Sequence, residues 1–375
     1  MPFAPAFVTE ALNYSLGRTR DNLARLTSFP ELTDGGVWRT VDNGGWVGGH
    51  WVGLLWLAYA QTGDAVLDKA ARAWAARLAP RQTDTTTHDL GFLFELSHLL
   101  GAHLTGDDSL SAPALVAART LTRRYNPRGR YFQAWGPLDG TRAQRGRAII
   151  DTMMNLDLLF WASRATGDPY YAALAAAHAD TAREHHVRPD GSTSHVIDFD
   201  PDSGLFLKQD THQGLSATSC WSRGQAWAVY GFGECYRATG RGEDLATAGA
   251  LAEYCLARLP ADLVPYWDYA SPLIPDDVRD SSAAAVLASA LLELARLAPD
   301  AKAAARWRET ALAMLESLWQ GYSTRGAVEP SILRHGTRSK PHDLQEHGLI
   351  YGDYYFVEAL LRAAPDACVV AAVGL

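Results

Sequence analysis

The chain has little cysteine, no long apolar run and no surplus of positive charge. Its four cysteines in 375 residues include no CxxC pair, which argues against a disulfide framework or a zinc site and favours reduced, packed thiols. These cysteines are Cys220, Cys235, Cys255 and Cys368. No run reaches the ~18 apolar residues of a membrane span, and the first residues lack the charged and apolar regions of a signal peptide. We therefore expect a cytoplasmic protein with no membrane partner.

The net charge and the composition further restrict the classes of molecule that the protein can bind. The formal net charge is -8, and no lysine and arginine run forms a basic stripe, which argues against nucleic acid as a partner. Hydrophobic residues make up 47% of the chain and charged residues 20%, which is typical of a globular protein with a large core. We predict a single domain over residues 1–375, in which any anion is bound by local groups.

Four turns share a threonine followed by a glycine, and three of them continue with an aspartate. They read Thr62-Gly63-Asp64, Thr105-Gly106-Asp107, Thr166-Gly167-Asp168 and Thr239-Gly240. The glycine can take the left-handed position that ends one helix, and the aspartate can cap the next helix. The pattern predicts a series of helical hairpins.

Apolar spacing at i, i+3, i+4 and i+7 predicts twelve helices around these turns. Their ranges are 7–26, 49–62, 65–78, 88–104, 110–124, 148–165, 168–186, 222–239, 243–258, 280–297, 301–320 and 349–363. The second helix of each pair is richer in aromatic and small apolar residues, as a helix buried on all sides should be. We therefore predict an all-α fold, an (α/α)6 barrel with small β-strand insertions in its loops, in preference to an open solenoid.

In such a barrel the inner helices run parallel, so their N-terminal ends meet at one rim. The residues at the six starts are Trp46, His50 and Trp51; His88 and Asp89; Asp151; Trp221, Arg223 and Trp227; Asp280 and Ser281; and Tyr351, Asp353, Tyr354 and Tyr355. Helix starts favour anions through their free N–H groups and the macrodipole. Asp280, Ser281 and Asp353 also fit ordinary helix caps, but the set as a whole predicts a binding site at this rim.

Two carboxylates of this set, Asp89 and Asp151, stand in apolar surroundings, where an unpaired charge is costly. Two nearby carboxylates raise the pKa of one of them, which can then hold and donate a proton near neutral pH. The alternative is a pair of caps bound to backbone N–H groups. His195 and Gln213 lie in a strand-like insert that can fold over the rim.

The helix that begins near residue 222 opens with an arginine and two indoles. Arg223 and Trp227 are four residues apart and so share one helical face. A guanidinium suits a carboxylate and an indole suits the face of a sugar. Because a uronic acid carries both features, the segment indicates a site for an acidic sugar.

Together these motifs resemble the unsaturated glucuronyl hydrolases, glycoside hydrolase family 88, nearly from end to end. The shared motifs are Trp46-Val-Gly-Gly-His-Trp51 with Leu55-Trp56, His88-Asp-Leu-Gly-Phe92, Ile150-Asp151 with Met154-Asn155, His195, Gln213-Gly214, Trp221-Ser-Arg-Gly-Gln-Ala-Trp227, Val264-Pro-Tyr-Trp-Asp268, Asp280-Ser-Ser-Ala283 and Tyr351-Gly-Asp-Tyr-Tyr355. The resemblance implies an (α/α)6 barrel without metal or cofactor. It also implies a substrate with a 4,5-unsaturated uronic acid at its non-reducing end, as polysaccharide lyases leave it.

The resemblance also implies a role for each matched residue. Asp151 would be the general acid and base, and Asp89 its partner carboxylate. The implied substrate-binding residues are Trp46 and Trp227, stacking on the sugar; His88, contacting it; His195 and Gln213, placing the water; Arg223, facing the uronate; and Trp221 and Tyr354. Protonation would occur at C4 of the double bond and water would add at C5.

Three other functions fit part of the pattern. An unsaturated rhamnogalacturonyl hydrolase would share the barrel and the chemistry but act on pectin fragments. A sugar 2-epimerase on a similar barrel would favour paired histidines over the aspartate pair. A glycan-binding protein without activity would use the tryptophans and Arg223 but has no need of two buried carboxylates. We interpret the basic segment 334–342 as a solvated loop and expect a monomer or weak homodimer.

Overall fold

The computed structural model of the protein describes residues 5–364, most of them in helices. The α-helices are α1 (Ala6–Leu23), α2 (Gly48–Thr62), α3 (Ala65–Leu78), α4 (Leu90–Phe94), α5 (Leu100–Thr105), α6 (Ala112–Thr122), α7 (Arg142–Arg145), α8 (Asp157–Thr166), α9 (Pro169–His185), α10 (Ser222–Thr239), α11 (Gly242–Leu256), α12 (Ser281–Leu297), α13 (Ala301–Ser317) and α14 (Ile350–Ala363). The strands are β1 (Phe29–Asp34), β2 (Val37–Val41), β3 (Tyr125–Asn126), β4 (Tyr131–Phe132), β5 (Arg147–Ile149), β6 (Val196–Phe199) and β7 (Phe206–Asp210). Cys368 and both ends of the predicted domain lie outside the described residues.

The long helices form two concentric rings. The inner ring consists of α2, the α4–α5 pair joined by a π-helical turn, α8, α10, α12 and α14, and the outer ring of α1, α3, α6, α9, α11 and α13. Neighbouring inner helices pack against each other, and α14, the last of them, packs against α2, the first. Because this contact closes the ring, the predicted (α/α)6 barrel is confirmed and the open solenoid is wrong.

The repeated turns end one helix and begin the next as the sequence indicates. Gly63, Gly106, Gly167 and Gly240 have φ angles of 64°, 67°, 72° and 71° and directly follow α2, α5, α8 and α10. Asp64 and Asp168 then accept hydrogen bonds at 2.9 Å from the backbone N–H groups of Val66 and Tyr170. Left-handed glycines and aspartate caps therefore set the spacing of the hairpins.

The inner helices are buried on all sides. In α12 every residue from Ser281 to Leu294 is buried. A Cβ atom on Gly49 of α2 would lie 1.9 Å from the carbonyl oxygen of Phe92 in α4, so only glycine permits this approach. The close packing fixes the N-terminal ends of these two helices relative to each other.

A small antiparallel sheet, in the order β5-β6-β7, joins the segment before α8 to the predicted strand-like insert. Ile149 of β5 pairs with Val196 of β6. One residue further along each strand, the N–H of Ile150 donates to the carbonyl oxygen of His195 at 3.0 Å. The register therefore sets residue 151 beside residue 195.

The prediction of one α-helix over 148–165 is wrong at its start. Strand Arg147–Ile149 comes first, a 3-10 segment covers Ile150–Asn155, and the α-helix begins only at Asp157. The apolar residues at 148–150 fit a helix pattern and a strand equally well, and pairing with β6 decides between them. As a result Asp151 lies on a short 3-10 turn rather than in the first turn of an α-helix.

The hairpin β1-β2, absent from the predicted elements, connects the start of the chain to the loop before α14. The N–H of Thr33 donates to the carbonyl oxygen of Gly348 at 2.9 Å, and the N–H of Gly348 donates to Thr33 Oγ1 at 2.8 Å. Glu31 forms an ion pair with Arg338 at 2.7 Å. The hairpin thus holds the loop that precedes the last inner helix.

Three of the four cysteines lie within the described residues. Cys220, Cys235 and Cys255 are buried free thiols, as predicted. Across residues 5–364 we find no helix with both the length and the apolar character required to cross a bilayer.

Candidate active site

A cavity of about 290 Å³ lies where the inner helices begin. This volume is close to the lower end of the ~300–1,000 Å³ range of ligand pockets. Its walls are formed by Trp46, His88, Asp89, Trp135, Ile149, Asp151, His212, Gln213, Trp221, Arg223, Arg338, Ser339, His342 and Leu344. The structure therefore brings together seven of the ten residues selected from the sequence, namely Asp89, Asp151, Trp46, His88, Gln213, Trp221 and Arg223.

The carboxyl group of Asp151 has a strongly raised pKa. Burial, and then the nearby negative charge of Asp89, raise its pKa to about 7 against the opposing positive charge of Arg223. Its Oδ2 atom is buried and has no hydrogen-bond partner among the described residues. A carboxyl in this setting is half protonated near neutral pH and can act as a general acid.

Asp89 lies just before α4, in a segment that fixes its orientation. Thr87 Oγ1 donates to Asp89 Oδ2 at 2.9 Å, and His88 Nε2 lies 3.3 Å from Asp89 Oδ1. His88 is held in turn by Thr152 Oγ1, 2.8 Å from its Nδ1 atom. Burial lowers the pKa of His88, so the ring is neutral at neutral pH. These contacts differ from those of a helix cap, because no side-chain capping bond forms at this helix start.

His195 stands behind Asp151 with a defined tautomer. The backbone N–H groups of His212 and Gln213 donate to its Nδ1 atom at 3.2 and 3.1 Å. Since Nδ1 accepts twice, the proton of the neutral ring must be on Nε2. That Nε2 atom lies 3.6 Å from Asp151 Oδ2 and has no hydrogen-bond partner among the described residues. Burial, the largest cause, lowers the pKa of His195 well below its ordinary value.

Arg223 lines the cavity, but the protein itself occupies most of its guanidinium. Nη1 forms an ion pair with Asp280 and donates to the carbonyl oxygen of Thr337 at 2.6 Å. Nη2 donates to the carbonyl oxygen of Arg338, also at 2.6 Å. The expected free fork for a ligand carboxylate is therefore corrected: both terminal nitrogens anchor a loop. Arg223 keeps its positive charge beside the cavity, with its Cζ atom 4.5 Å from the centre of the Trp221 ring.

The cap role expected of Asp280 is confirmed, and the structure adds a second role. Its Oδ1 atom accepts from the N–H groups of Ser282 and Ala283 at 3.1 and 3.3 Å. Its other oxygen binds Arg223. Asp353 does not cap α14. Instead, its two oxygens accept from Ile332 N and Leu333 N, each at 2.9 Å.

The basic segment 334–342 forms part of the cavity wall rather than a solvated loop, which corrects that interpretation. Besides the bonds from Arg223, the side-chain amide of Gln213 donates to the carbonyl oxygen of Arg338 at 2.7 Å. The side chains of Arg338, Ser339 and His342 border the cavity. Gln213 therefore positions this wall through its side chain and His195 through its backbone.

Three of the ten predicted residues do not line the cavity. His195 stands behind Asp151, and Trp227 and Tyr354 lie further away. Trp227 is fully buried and packs its ring edge-on against Phe92 and Tyr355, each at 5.3 Å between centroids. Because it is one turn further into α10 than Arg223, it is about 6 Å deeper along the barrel axis. Tyr354 is also buried and borders a smaller cavity inside the barrel. These positions do not support the predicted sugar contacts of the two residues, and both side chains pack in the core.

Seven cavity residues were not selected from the sequence: Trp135, Ile149, His212, Arg338, Ser339, His342 and Leu344. The ring of His212 lies 5.3 Å from that of Trp135 and 4.6 Å from that of His342, so it joins two parts of this wall. Most of the seven lie in loops, where no periodic pattern marks a residue as facing inward. The one usable signal was position, because His212 adjoins Gln213 and His342 ends the basic segment.

No set of three or more His, Cys, Asp or Glu side chains in the described part of the chain is arranged to hold a metal ion. The side chains of the cavity instead provide two carboxyls, histidines, indoles and arginines.

The sequence of this chain is similar to those of known proteins over nearly its whole length. The sequence profile of Glycosyl Hydrolase Family 88 matches residues 26–319. The unsaturated glucuronyl hydrolase of Bacillus sp. (strain GL1) is 39% identical over 361 residues, covering 94% of this chain and 96% of that protein. The unsaturated chondroitin disaccharide hydrolase of Streptococcus pyogenes serotype M1 is 35% identical, covering 96% and 92% respectively.

Solved structures are similar over the same extent. The crystal structure of the unsaturated glucuronyl hydrolase from Bacillus sp. GL1 has a TM-score of 0.91 at 38% identity and covers 95% of this chain and 96% of its own. That of the enzyme from Streptococcus agalactiae has a TM-score of 0.90 at 33% identity, with coverage of 96% and 92%. The expected resemblance is confirmed by both kinds of comparison.

Proposed function

The chain belongs to Glycosyl Hydrolase Family 88, and from that premise we propose that it releases 4,5-unsaturated glucuronic acid from the non-reducing end of lyase-made oligosaccharides. The observation that carries the proposal is Asp151: a largely buried carboxyl, 14% exposed, in a cavity shared with Asp89, with a pKa raised to about 7. The names of the relatives support this substrate class, since they are unsaturated glucuronyl and unsaturated chondroitin disaccharide hydrolases.

The reaction begins with the proton on Asp151. The C4=C5 bond of the substrate is an enol ether, so transfer of this proton to C4 develops oxocarbenium character at C5. Asp151, now a carboxylate, takes a proton from a water molecule whose oxygen bonds to C5. The resulting hemiketal opens to a ketone at C5 and leaves C1 of the uronic acid as a hemiacetal. This hemiacetal collapses to an aldehyde and releases the second sugar, whose glycosidic oxygen takes up the hydroxyl proton, without attack of water at C1. The separation rule for retaining and inverting carboxylates therefore does not apply.

His195 and Asp89 divide the supporting roles in this scheme. The Nε2–H of His195 donates to the oxygen of the attacking water and orients it toward C5, which agrees with its position 3.6 Å from Asp151. The negative charge of Asp89 helps to keep Asp151 protonated before the first step. Asp89 also accepts hydrogen bonds from sugar hydroxyls, and His88 donates to a sugar hydroxyl.

Binding of the acidic sugar uses the aromatic and cationic walls. Trp46 and Trp221 border the cavity and offer ring surface to the sugar. Arg223 and Arg338 provide positive charge in a protein whose net charge is -8. Within a partly buried cavity this local charge attracts the uronate more effectively than it would on an open surface.

The test is hydrolysis of a panel of unsaturated disaccharides made by lyases from hyaluronan, chondroitin, heparin, gellan and rhamnogalacturonan. The ultraviolet absorbance of the conjugated acid should disappear with at least one glucuronyl substrate. Asp151→Asn should abolish this signal, while Asp139→Asn, at an exposed site, should leave it unchanged. Turnover of the rhamnogalacturonan product alone would contradict the proposed specificity, and no turnover of any member would contradict the proposed reaction.

A further inference from the structure

Arg124 is a buried arginine just outside the cavity, two residues after the end of α6. Only 2% of its surface is exposed. No carboxylate of the described residues lies within ion-pair distance of it, although a buried charge without a partner is costly. Its Nη2 atom is buried and has no hydrogen-bond partner in the described part of the chain. Packing alone therefore does not explain why an arginine is buried at this position.

The contacts of Arg124 join two segments that form the cavity wall. Nη1 donates to the carbonyl oxygen of Thr85 and, at 3.1 Å, to that of Gly136. Nε donates to the carbonyl oxygen of Gln133 at 2.8 Å. Thr85 begins the segment 85–89, which carries both His88 and Asp89. The guanidinium thus connects this segment to residues 133–136.

The second segment also contributes directly to the cavity, through Trp135. An isolated antiparallel bridge pairs Thr87 with Trp135, so the two segments already run side by side. Arg124 binds carbonyls on both sides of that bridge. The planar fork of arginine spans three acceptors in a way that a lysine ammonium cannot.

The charge of Arg124 acts on the same segment. Asp89 is the carboxylate that stabilises the protonated guanidinium most strongly, followed by Asp84. Burial lowers the pKa of Arg124 to about 10, so the group is still a cation at neutral pH. It also lowers the pKa of His88, which is consistent with a position behind the His88–Asp89 pair.

We propose that Arg124 is a positioning residue for the reaction: its guanidinium fixes the segments 85–89 and 133–136 against each other and so holds His88 and Asp89 in place at the cavity. The inference rests on the proposed function, because it assigns Arg124 a task through Asp89. Arg124 itself contacts neither substrate nor the reacting atoms.

Other charged groups also face Asp89 and must be considered in any pH experiment. His88 lies on its own segment, 3.3 Å away. Asp151 faces it from the 3-10 turn before α8, and Arg223 acts on Asp151 from the start of α10. Asp84 is nearby but forms its own ion pair with Arg81, at 2.8 Å.

The test compares Arg124→Gln and Arg124→Lys with Arg123→Gln, which removes the same charge from the neighbouring exposed position. The measurement is kcat/KM for an unsaturated disaccharide across the pH range. Asp89 raises the pKa of Asp151, so an Asp89 displaced from its place should raise it less, and the alkaline limb of the profile in Arg124→Gln should move to lower pH by roughly 0.5–1 unit. In Arg124→Lys, which keeps the charge but loses the fork, the limb should move in the same direction, and kcat/KM should fall roughly tenfold.

The position of the limb distinguishes this role from a merely structural one. A fraction of unfolded protein lowers the amplitude of the profile but does not move the limb along the pH axis. An unmoved limb in Arg124→Gln, or an equal shift in Arg123→Gln, would overturn the positioning role. If Arg124→Gln does not fold, Arg124→Lys decides the matter: wild-type kcat/KM in that variant overturns the proposal. Failure of the proposed function is distinguishable, because the wild type would then turn over no panel substrate.

Discussion

His195 Nε2 lies 3.6 Å from Asp151 Oδ2 because strand β5 pairs with strand β6 immediately before both residues. Two backbone N–H groups fix the tautomer of His195, so the hydrogen of its ring points toward the carboxyl. The pair thus combines an acid with a donor in a geometry set by sheet register. In the proposed hydration, Asp151 supplies the proton and His195 orients the water.

Replacement of His195 should reveal its part in orienting water. In His195→Ala we expect kcat to fall by roughly 10- to 100-fold with little change in KM, since a donor to the water is lost while the sugar contacts stay. Initial rates at several substrate concentrations give both constants. His103→Ala, at an exposed site on α5, is the matched control. An unchanged kcat in His195→Ala would refute the water-orienting role.

The pH profile should report the protonated form of Asp151. Its pKa is raised to about 7, chiefly by burial and then by Asp89. Because the acid form donates the proton, kcat/KM should fall as the pH rises through about 7. The apparent value belongs to the interacting pair rather than to one residue.

Asp89→Asn removes a negative charge that raises the pKa of Asp151, so the alkaline limb should move to lower pH. Profiles of the wild type and the variant, measured with one substrate at constant ionic strength, test the direction of this shift. A move to higher pH would contradict the assigned coupling. Residual activity is sufficient for the measurement, since the position of the limb does not depend on the maximal rate.

Arg223→Lys should affect stability and binding together. The lysine keeps the charge but cannot bind Asp280 and the carbonyls of Thr337 and Arg338 at once. We expect a loss of about 3 kcal/mol in unfolding free energy and a higher KM, because the wall at 337–344 loosens. Denaturant unfolding and steady-state kinetics measure the two effects. Arg334→Lys, on the exposed side of the same segment, should change neither, and a raised KM at full stability would argue for direct contact with the uronate instead.

The two tryptophans that were both expected to stack on the sugar should now behave differently. Trp46→Ala should raise KM roughly tenfold through loss of a ring at the cavity. Trp227→Phe should lower the unfolding free energy by about 2 kcal/mol with little change in KM, since Trp227 is fully buried. Thermal melts and kinetics on both variants separate these outcomes. A raised KM in Trp227→Phe at constant stability would return that residue to the binding site.

Helical periodicity and turn chemistry were sufficient to predict the barrel. The glycine and aspartate turns at 62–64 and 166–168 have local causes, and the inner helices differ visibly in composition from the outer ones. The start of α8 was mispredicted because the partner strand that decides between helix and strand lies about fifty residues further along. Pairing over such distances leaves no periodic signal in the sequence.

The site was predicted in part for the same reason. Residues next to helix starts, such as Asp89 and Arg223, follow from the parallel inner ring. Depth along a helix does not follow from its face, so Trp227 was placed one turn too close to the cavity. The loop residues His212 and His342 meet only through tertiary contacts between distant segments. Arg124 likewise acts across segments far from its own helix.

The hairpin β1-β2 has a consequence for how the protein matures on the ribosome. Glu31 pairs with Arg338, and Thr33 with Gly348. Neither contact can form until more than three hundred further residues have been synthesised. The proton donor and its histidine neighbour are made in the first part of translation, whereas the opposite side of the cavity arrives near the end. The cavity wall formed by Arg338, Ser339, His342 and Leu344 is thus the last to be synthesised, and it docks onto the earliest strands.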